Sequence, residues 1–366
     1  MSLSVGIVGL PNVGKSTFFN ALTHAQNAAA ENYPFCTIEP NKAMVPVSDE
    51  RLNELAKIAN PKQIVKATVD FIDIAGLVKG ASKGEGRGNA FLSDIRDTNA
   101  ILHVVRCFTD DDVVHVDGSV DPIRDIQTIE TELILADLDT LAKQIDNLSR
   151  KAHSDPKARP ALEAMKELEA HLDAGNPALT FPRGESSPLV EDLNRIKLLT
   201  DKPIIYVANV GEADLAEEGE NVRRVREFAK QRGCDVIVIS AKMEAEMAGL
   251  SDEERAEFLS SYGLKESGLD QTARIAYHTL GLASYFTAGP MEVKAWTFRR
   301  GWKAPKCAGV IHSDFERGFI RAEVISYQDY VDNHGEQGAK EKGLMRVEGK
   351  EYLVQDGDVM HFLFNV

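Results

Sequence analysis

At 366 residues, with 43% apolar and 27% charged positions, the chain has the balance of a soluble protein of two or three domains. Its 57 acidic residues against 42 basic ones give a net charge of −15, which disfavours nonspecific nucleic-acid binding and leaves that role to a local basic patch. Cys36, Cys107, Cys234 and Cys307 lie far apart without C-x-x-C spacing, which argues against zinc and for reduced thiols; with no signal peptide and no bilayer-spanning apolar run, a cytoplasmic protein is expected.

Residues 4–8 read as a short buried strand and residues 17–22 as the first turns of a helix. Between them, residues 9–16 (GLPNVGKS) satisfy the phosphate-binding pattern G-x-x-x-x-G-K-[ST] in full. Gly9 and Gly14 permit the tight turn whose backbone N–H groups, with those of Asn12, Val13 and Thr17, wrap a triphosphate. Lys15 supplies an ammonium for the β/γ-phosphates and Ser16 a hydroxyl for Mg²⁺. Asn12 can help hold a monovalent cation such as K⁺ against the phosphates, or simply form the turn. Thr37, in YPFCTIEP, is a candidate switch threonine for Mg²⁺ or a plain turn residue.

Apolar runs at 69–74, 101–107, 204–208 and 236–239 have strand length and alternate with helical sequence, which predicts a mainly parallel α/β sheet. Asp73 and Gly76 end the first run as D-x-x-G; Asp73 would hold Mg²⁺ through water and the Gly76 N–H would sense the γ-phosphate. Leu77 follows, where a glutamine often positions the attacking water. The glycine-rich, basic stretch after it, including Lys79 and Gly80, fits either a nucleotide-driven switch or a plain disordered loop. His103, inside a strand, reads as a core residue; His115, in a loop after three aspartates, is free to swing inward.

Residues 209–212 read Asn-Val-Gly-Glu where a guanine-specific protein carries N-K-x-D. Glu212 is one methylene longer than the aspartate that accepts from guanine, and Val210 replaces the lysine that covers the base, so adenine is expected over guanine. Asn209 would pair with the adenine edge, and Ser240 and Ala241 would close the base pocket. Between the runs at 101–107 and 204–208, Ile134, Leu138, Leu141, Ile145 and Leu148, then Leu162, Met165, Leu168 and Leu172, recur at helical spacing; they fit either an antiparallel helical hairpin over 128–200, built for contact with protein partners, or two ordinary helices on the domain surface. The last ninety or so residues turn to short strands. There Trp296, Arg299, Arg300, Trp302, Lys303 and Lys306 fit either an RNA surface or an amphipathic strand pair, since eleven Lys/Arg meet twelve Asp/Glu from residue 280 onward.

Taken together, residues 9–16, 73–76, 209–212 and 357–366 resemble the YchF subfamily of Obg-related P-loop proteins, from residue 3 to the C-terminus. N-x-x-E and Leu77 are the most specific marks. The resemblance implies a slow Mg²⁺-dependent ATPase of GTPase-like fold over 1–127 and 201–275, a helical insertion over 128–200, and a ubiquitin-like α+β (TGS) domain over 279–364. It implies that His115 serves hydrolysis, that K⁺ stimulates through Asn12, and that the protein associates with ribosomes in translation or stress regulation, without membrane or sequence-specific DNA contacts. Gly211 departs from the polar residue usual in the family. A GTPase, and a ribosome- or RNA-binding protein in which hydrolysis is incidental, remain the alternatives.

Overall fold

The computed structural model describes residues 3–29, 39, 41–76, 87–110, 113, 115, 118–183 and 196–365. Their strands are β1 (Ser4–Val8), β2 (Lys42–Pro46), β3 (Gln63–Val65), β4 (Thr68–Asp73), β5 (Ala100–Arg106), β6 (Ile204–Asn209), β7 (Asp235–Ile239), β8 (Leu282–Ala288), β9 (Glu292–Arg299), β10 (Phe319–Ile325), β11 (Arg346–Glu348) and β12 (Val359–Phe364). The helices that matter for the site and the core are α1 (Lys15–Ala29), α2 (Glu50–Ala59), α3 (Arg87–Asp97), α4 (Pro122–Ser154), α5 (Arg159–Asp173), α6 (Glu220–Gln231), α7 (Ala241–Met247), α8 (Gly268–Thr279) and α9 (Ala304–Ile311).

Contacts divide the chain into two compact units. The first, which includes Asp70–Gly268 and the phosphate loop, holds β1, β5, β6, β7 and most of β4 of a six-stranded sheet in the order β2-β4-β1-β5-β6-β7. β4, β1, β5, β6 and β7 run parallel in register, as their near-continuous apolar sequences require of strands covered on both faces. The order turns at β1, whose neighbours β4 and β5 both come later in the chain; a doubly wound sheet binds ligands at such a switch point, outside the strands' carboxyl ends. Each of the four strands read from sequence after β1 lies within a residue of its expected bounds.

The helical insertion is present but begins earlier than expected. α4 starts at Pro122, where the Asp121 side chain accepts from Ile123 N and Arg124 N and proline takes the first helical position. Its first turns bury Ile126 and Ile129, and only its later part carries the stripe that packs on α5. Ile134, Leu141, Ile145, Met165, Leu168 and Leu172 form that core. Asp155 ends α4 and caps the short turn Pro156–Ala158 that leads into α5. The base of the hairpin is tied by Asp137, fully buried, which accepts from Leu199 N at 2.7 Å, Thr200 N at 2.8 Å and Thr200 Oγ1 at 2.7 Å.

The second unit contains Met44–Val69 and Leu269–Val366, so the stretch to residue 127 is shared between the units and α8 goes with the C-terminal part almost entirely. The reason is a strand pairing invisible to local patterning. β3 adds parallel to β9, Gln63 beside Glu292 through Val65 beside Lys294, as the sixth strand of the sheet β11-β10-β12-β8-β9-β3. Tyr285, Phe298, Cys307, Phe319 and Phe362 make the core of this sheet against α9.

Candidate functional site

Residues 9–16 leave β1 and enter α1 at Lys15, so the loop sits at the switch point of the first sheet. Gly14 has φ +91°, and a Cβ there would collide with Asn209 Nδ2. At Gly9 a Cβ would lie 2.9 Å from the Val104 carbonyl. Both positions therefore demand glycine, one for its backbone and crowding, the other for close approach to β5. Asn12 also lies in the left-handed region, at φ 63°, as a turn asparagine does. Val13 is buried and anchors the loop, whereas Asn12, Ser16 and Thr17 are exposed.

Lys15 Nζ forms an ion pair with Asp73 Oδ1. Asp73 closes β4, held by its own N–H to the Asn41 carbonyl at 2.8 Å, and Gly76 follows, where a Cβ would meet none of the described residues within 4 Å. The sequence placed these two side chains at the triphosphate and its metal, and they meet in the fold. Thr37 and Leu77 lie outside the described residues.

Asn209, at the end of β6, is a strut. Its Nδ2 donates to the Val13 carbonyl at 2.9 Å and its Oδ1 accepts from Ala241 N at 2.9 Å, so one buried side chain joins the phosphate loop to the start of α7. Each amide atom keeps capacity for one further hydrogen bond, since the oxygen has a second lone pair and the nitrogen a second hydrogen. Ser240, buried, caps α7, and Val210 is buried with its N–H on the Ile239 carbonyl at 2.8 Å. Glu212 is half-buried, with Lys242 Nζ 3.4 Å from Oε1 and the Tyr262 hydroxyl 3.4 Å from Oε2.

His115 is not the free loop residue expected. It is buried, with Nε2 2.8 Å from Asp125 Oδ2 on the first turn of α4. Arg106, also buried, shapes the segment between β5 and His115. Its guanidinium donates to the carbonyls of Phe108 at 3.3 Å, Val113 at 2.9 Å and Asp110 at 3.2 Å, and it stacks over the Phe108 ring at 4.5 Å. Sequence reasoning missed Asp125 and Arg106. The signal for the second was present: an arginine closing a seven-residue strand that is otherwise buried must find acceptors inside the fold. His103 is buried in β5, as expected, and desolvation lowers its pKa to about 3.

In the second unit the mixed aromatic and basic set, Arg299 aside, is engaged by side chains of the same unit. Lys294 lies over Trp296 at 3.7 Å and Lys306 over Trp302 at 4.3 Å, while Arg300 pairs with Asp356 at 3.2 Å and Lys303 with Glu351. Burial pushes the thiols of Cys107 and Cys307 up to about 12 and that of Cys234 to about 11, which leaves them protonated and inert. No helix among the described residues is long and apolar enough to cross a membrane.

Comparison with known proteins fits this geometry. A family model described as "50S ribosome-binding GTPase" matches residues 4–156, and the YchF-type GTPase C-terminal family, described as of unknown function, matches residues 282–365. Proteins named ribosome-binding ATPase YchF are 54% identical in Bacillus subtilis and 53% in Haemophilus influenzae, with the whole of each chain covered. The solved YchF GTPase of Schizosaccharomyces pombe superposes with a TM-score of 0.89 at 38% identity, over 99% of this chain and 98% of that one. A GTP-binding protein of Pyrococcus horikoshii, at 21% identity and a TM-score of 0.59, shares the fold. Identity of this extent along the entire length, on a phosphate loop braced by an N-x-x-E asparagine, shows that the chain belongs to the YchF family of P-loop proteins.

Proposed function

We propose that the chain is a slow ATPase whose nucleotide state governs its association with the ribosome. The observation that carries the adenine assignment is Glu212. Where a guanine-reading aspartate would stand, a longer carboxylate is engaged by Lys242 and Tyr262, which turns it from base recognition toward the protein's own side chains. The curated relatives' name supplies the ribosome and the ATPase activity for this reading.

The donor set fits a hard cation. The Ser16 hydroxyl at the start of α1 and the Asp73 carboxylate at the end of β4 are oxygens of the kind Mg²⁺ takes beside substrate phosphates, with Thr37 as a third candidate. When bound, Mg²⁺ neutralises charge on the phosphate oxygens. Lys15 then exchanges Asp73 for phosphate oxygens, and the backbone N–H groups of residues 12–17, with that of Gly76, bind the remaining charge. Asn209 keeps the loop in its binding shape.

His115 orients the water. A carboxylate at Nε2 favours the tautomer that carries its proton there, donated to Asp125, and holds the ring in one orientation. Asn12 is the residue through which K⁺ would add a counter-charge. The helical hairpin offers a surface for protein contacts, and the C-terminal unit is assigned as TGS-type.

Calorimetric titration of the full chain with non-hydrolysable ATP and GTP analogues in Mg²⁺, with and without K⁺, tests this reading. The adenine analogue should bind at least about tenfold tighter, ~1.4 kcal/mol. Equal or inverted affinities would establish the second reading, a GTPase, which the name of the Schizosaccharomyces relative favours. Turnover of His115→Ala should fall with ATP affinity within a few fold.

A further inference from the structure

The second unit contains a cleft of about 420 Å³, within the size range of ligand pockets, that belongs to no part of the nucleotide chemistry. It opens where the sheet parts. β12 pairs with β10 from Val359 to Phe364, but with β8 through one register pair, Val359 beside Phe286. Two residues past that pair β8 ends and turns at residues 289–291 into β9, so the last residues of β12 have the cleft at their side.

Two properties of the lining define an occupant. The first is soft apolar lining: Met291, 63% exposed at the hairpin tip, with Met345, the Phe315–Phe364 stack, whose ring centroids are 3.8 Å apart, and at the floor Met360, a buried core residue. Methionine side chains adapt to varied apolar partners, so such a surface accepts side chains of more than one shape. The second is the sign of the charge. Glu292, Glu323 and Glu336 line the cleft and no lysine or arginine does; the one basic side chain is His361, 3.9 Å from Glu323. That potential repels a phosphate backbone and attracts a polycation.

We propose that this cleft is a docking site for an extended basic polypeptide segment. The segment runs along the open side of β12, where main-chain groups of a strand can be matched by a partner strand. Its apolar side chains seat among the methionines and Phe364, and its lysines or arginines face the three glutamates. A strand side left open in this way is a feature that folds normally cover, which is consistent with use by a partner.

The probe is a short acetylated peptide alternating arginine or lysine with leucine or phenylalanine, titrated into the full chain labelled at its methionine methyl groups. The same peptide with glutamate for each basic residue, and an oligouridylate, form the competing arms. The basic peptide should bind saturably and move the resonances of Met291, Met345 and Met360 and not those of the chain's other methionines. In Glu323→Lys/Glu336→Lys its affinity should fall at least about tenfold, with an unchanged urea midpoint by the fluorescence of Trp296 and Trp302, both in the second unit, reporting an intact fold. The proposal is overturned if the basic peptide leaves those methyls unmoved in the natural chain, if the acidic peptide or the oligouridylate moves them as strongly, or if the folded double variant binds the basic peptide as before.

Discussion

The two units bury polar side chains to different ends. In the first, Arg106, Asp137 and Asn209 reach past their own elements to backbone groups elsewhere, and His115 meets Asp125; each fixes a loop or a helix end. In the second, the interior is an aromatic cluster in which Tyr285 packs near Trp296, Phe298 and Phe362 and spends its hydroxyl on the Cys307 carbonyl at 3.0 Å. Polar burial of the first kind sets where a loop goes, so its loss shows in binding or turnover. Aromatic burial of the second kind sets stability, because the large side chains bring most of the apolar area removed from water.

The largest expected effect breaks the second unit alone. Phe298→Ala should destabilise it by ~3–5 kcal/mol, as other large-to-small core changes do. The chain's two tryptophans, Trp296 and Trp302, both lie in this unit, so tryptophan fluorescence during urea unfolding reports on it selectively. Affinity for the ATP analogue in water should stay within a few fold. A parallel loss of nucleotide affinity would mean that the units are energetically one.

Acid distinguishes the units next. Burial lowers the His103 pKa from 6.5 to about 3, so between those values the unfolded chain takes up a proton that the folded chain refuses. The first unit therefore loses stability as pH falls below ~6.5, by up to ~1.4 kcal/mol per pH unit from this residue. In the second unit, burial raises the Asp358 pKa despite its hydrogen bonds, a shift of opposite sign whose cost at neutral pH is relieved as the pH falls. Urea midpoints for His103→Phe and the natural chain, compared from pH 7 down to about 5, should diverge as the pH drops. Parallel curves would remove His103 as the cause.

How legible this was in the sequence follows the same division. Strands β1 and β4 to β7, the phosphate loop and the α4–α5 stripe are coded locally, by apolar runs, glycine spacing and helical periodicity. The β3–β9 pairing is not: Gln63 and Glu292 are 229 positions apart, and three residues are too short for an alternation signal. Of the site, the residues that touch nucleotide in a P-loop were readable because their spacing is dictated by the phosphate. Asp125 was not, since its partner is set by how the segment after β5 folds back; Arg106 carried a signal, a charged group closing a buried strand, that went unread, and Asn209 was read for its chemistry without its neighbours. His115 was found, but its burial against Asp125 required the tertiary fold.

Arg106 tests whether polar burial in the first unit is functional. Lysine keeps the charge but lacks the planar fork that serves three carbonyls at once. Arg106→Lys should lower single-turnover ATP hydrolysis by roughly ten- to a hundredfold, since small misplacements of an orienting group cost that much. Affinity for the ATP analogue should change by no more than a few fold. Combined with His115→Ala, the two losses should not add, because both act through one imidazole. Full additivity would assign Arg106 to stability alone.

The smallest effect concerns base choice. Lys242 is 76% exposed and 3.4 Å from Glu212, the geometry of a surface pair worth at most ~1 kcal/mol and screened by salt. Lys242→Ala should therefore release Glu212 only in part, because the Tyr262 hydroxyl still faces its second oxygen. The preference for the adenine over the guanine analogue should shrink by less than about fivefold, and the difference should fade in high salt. Adding Tyr262→Phe should widen the change, since the carboxylate then loses both side chains that engage it. A much larger swing from lysine alone would make this pair the main source of discrimination. If neither substitution has an effect, selection rests with the rigid Asn209 strut and the walls it positions, Val13 on one side and Ala241 on the other.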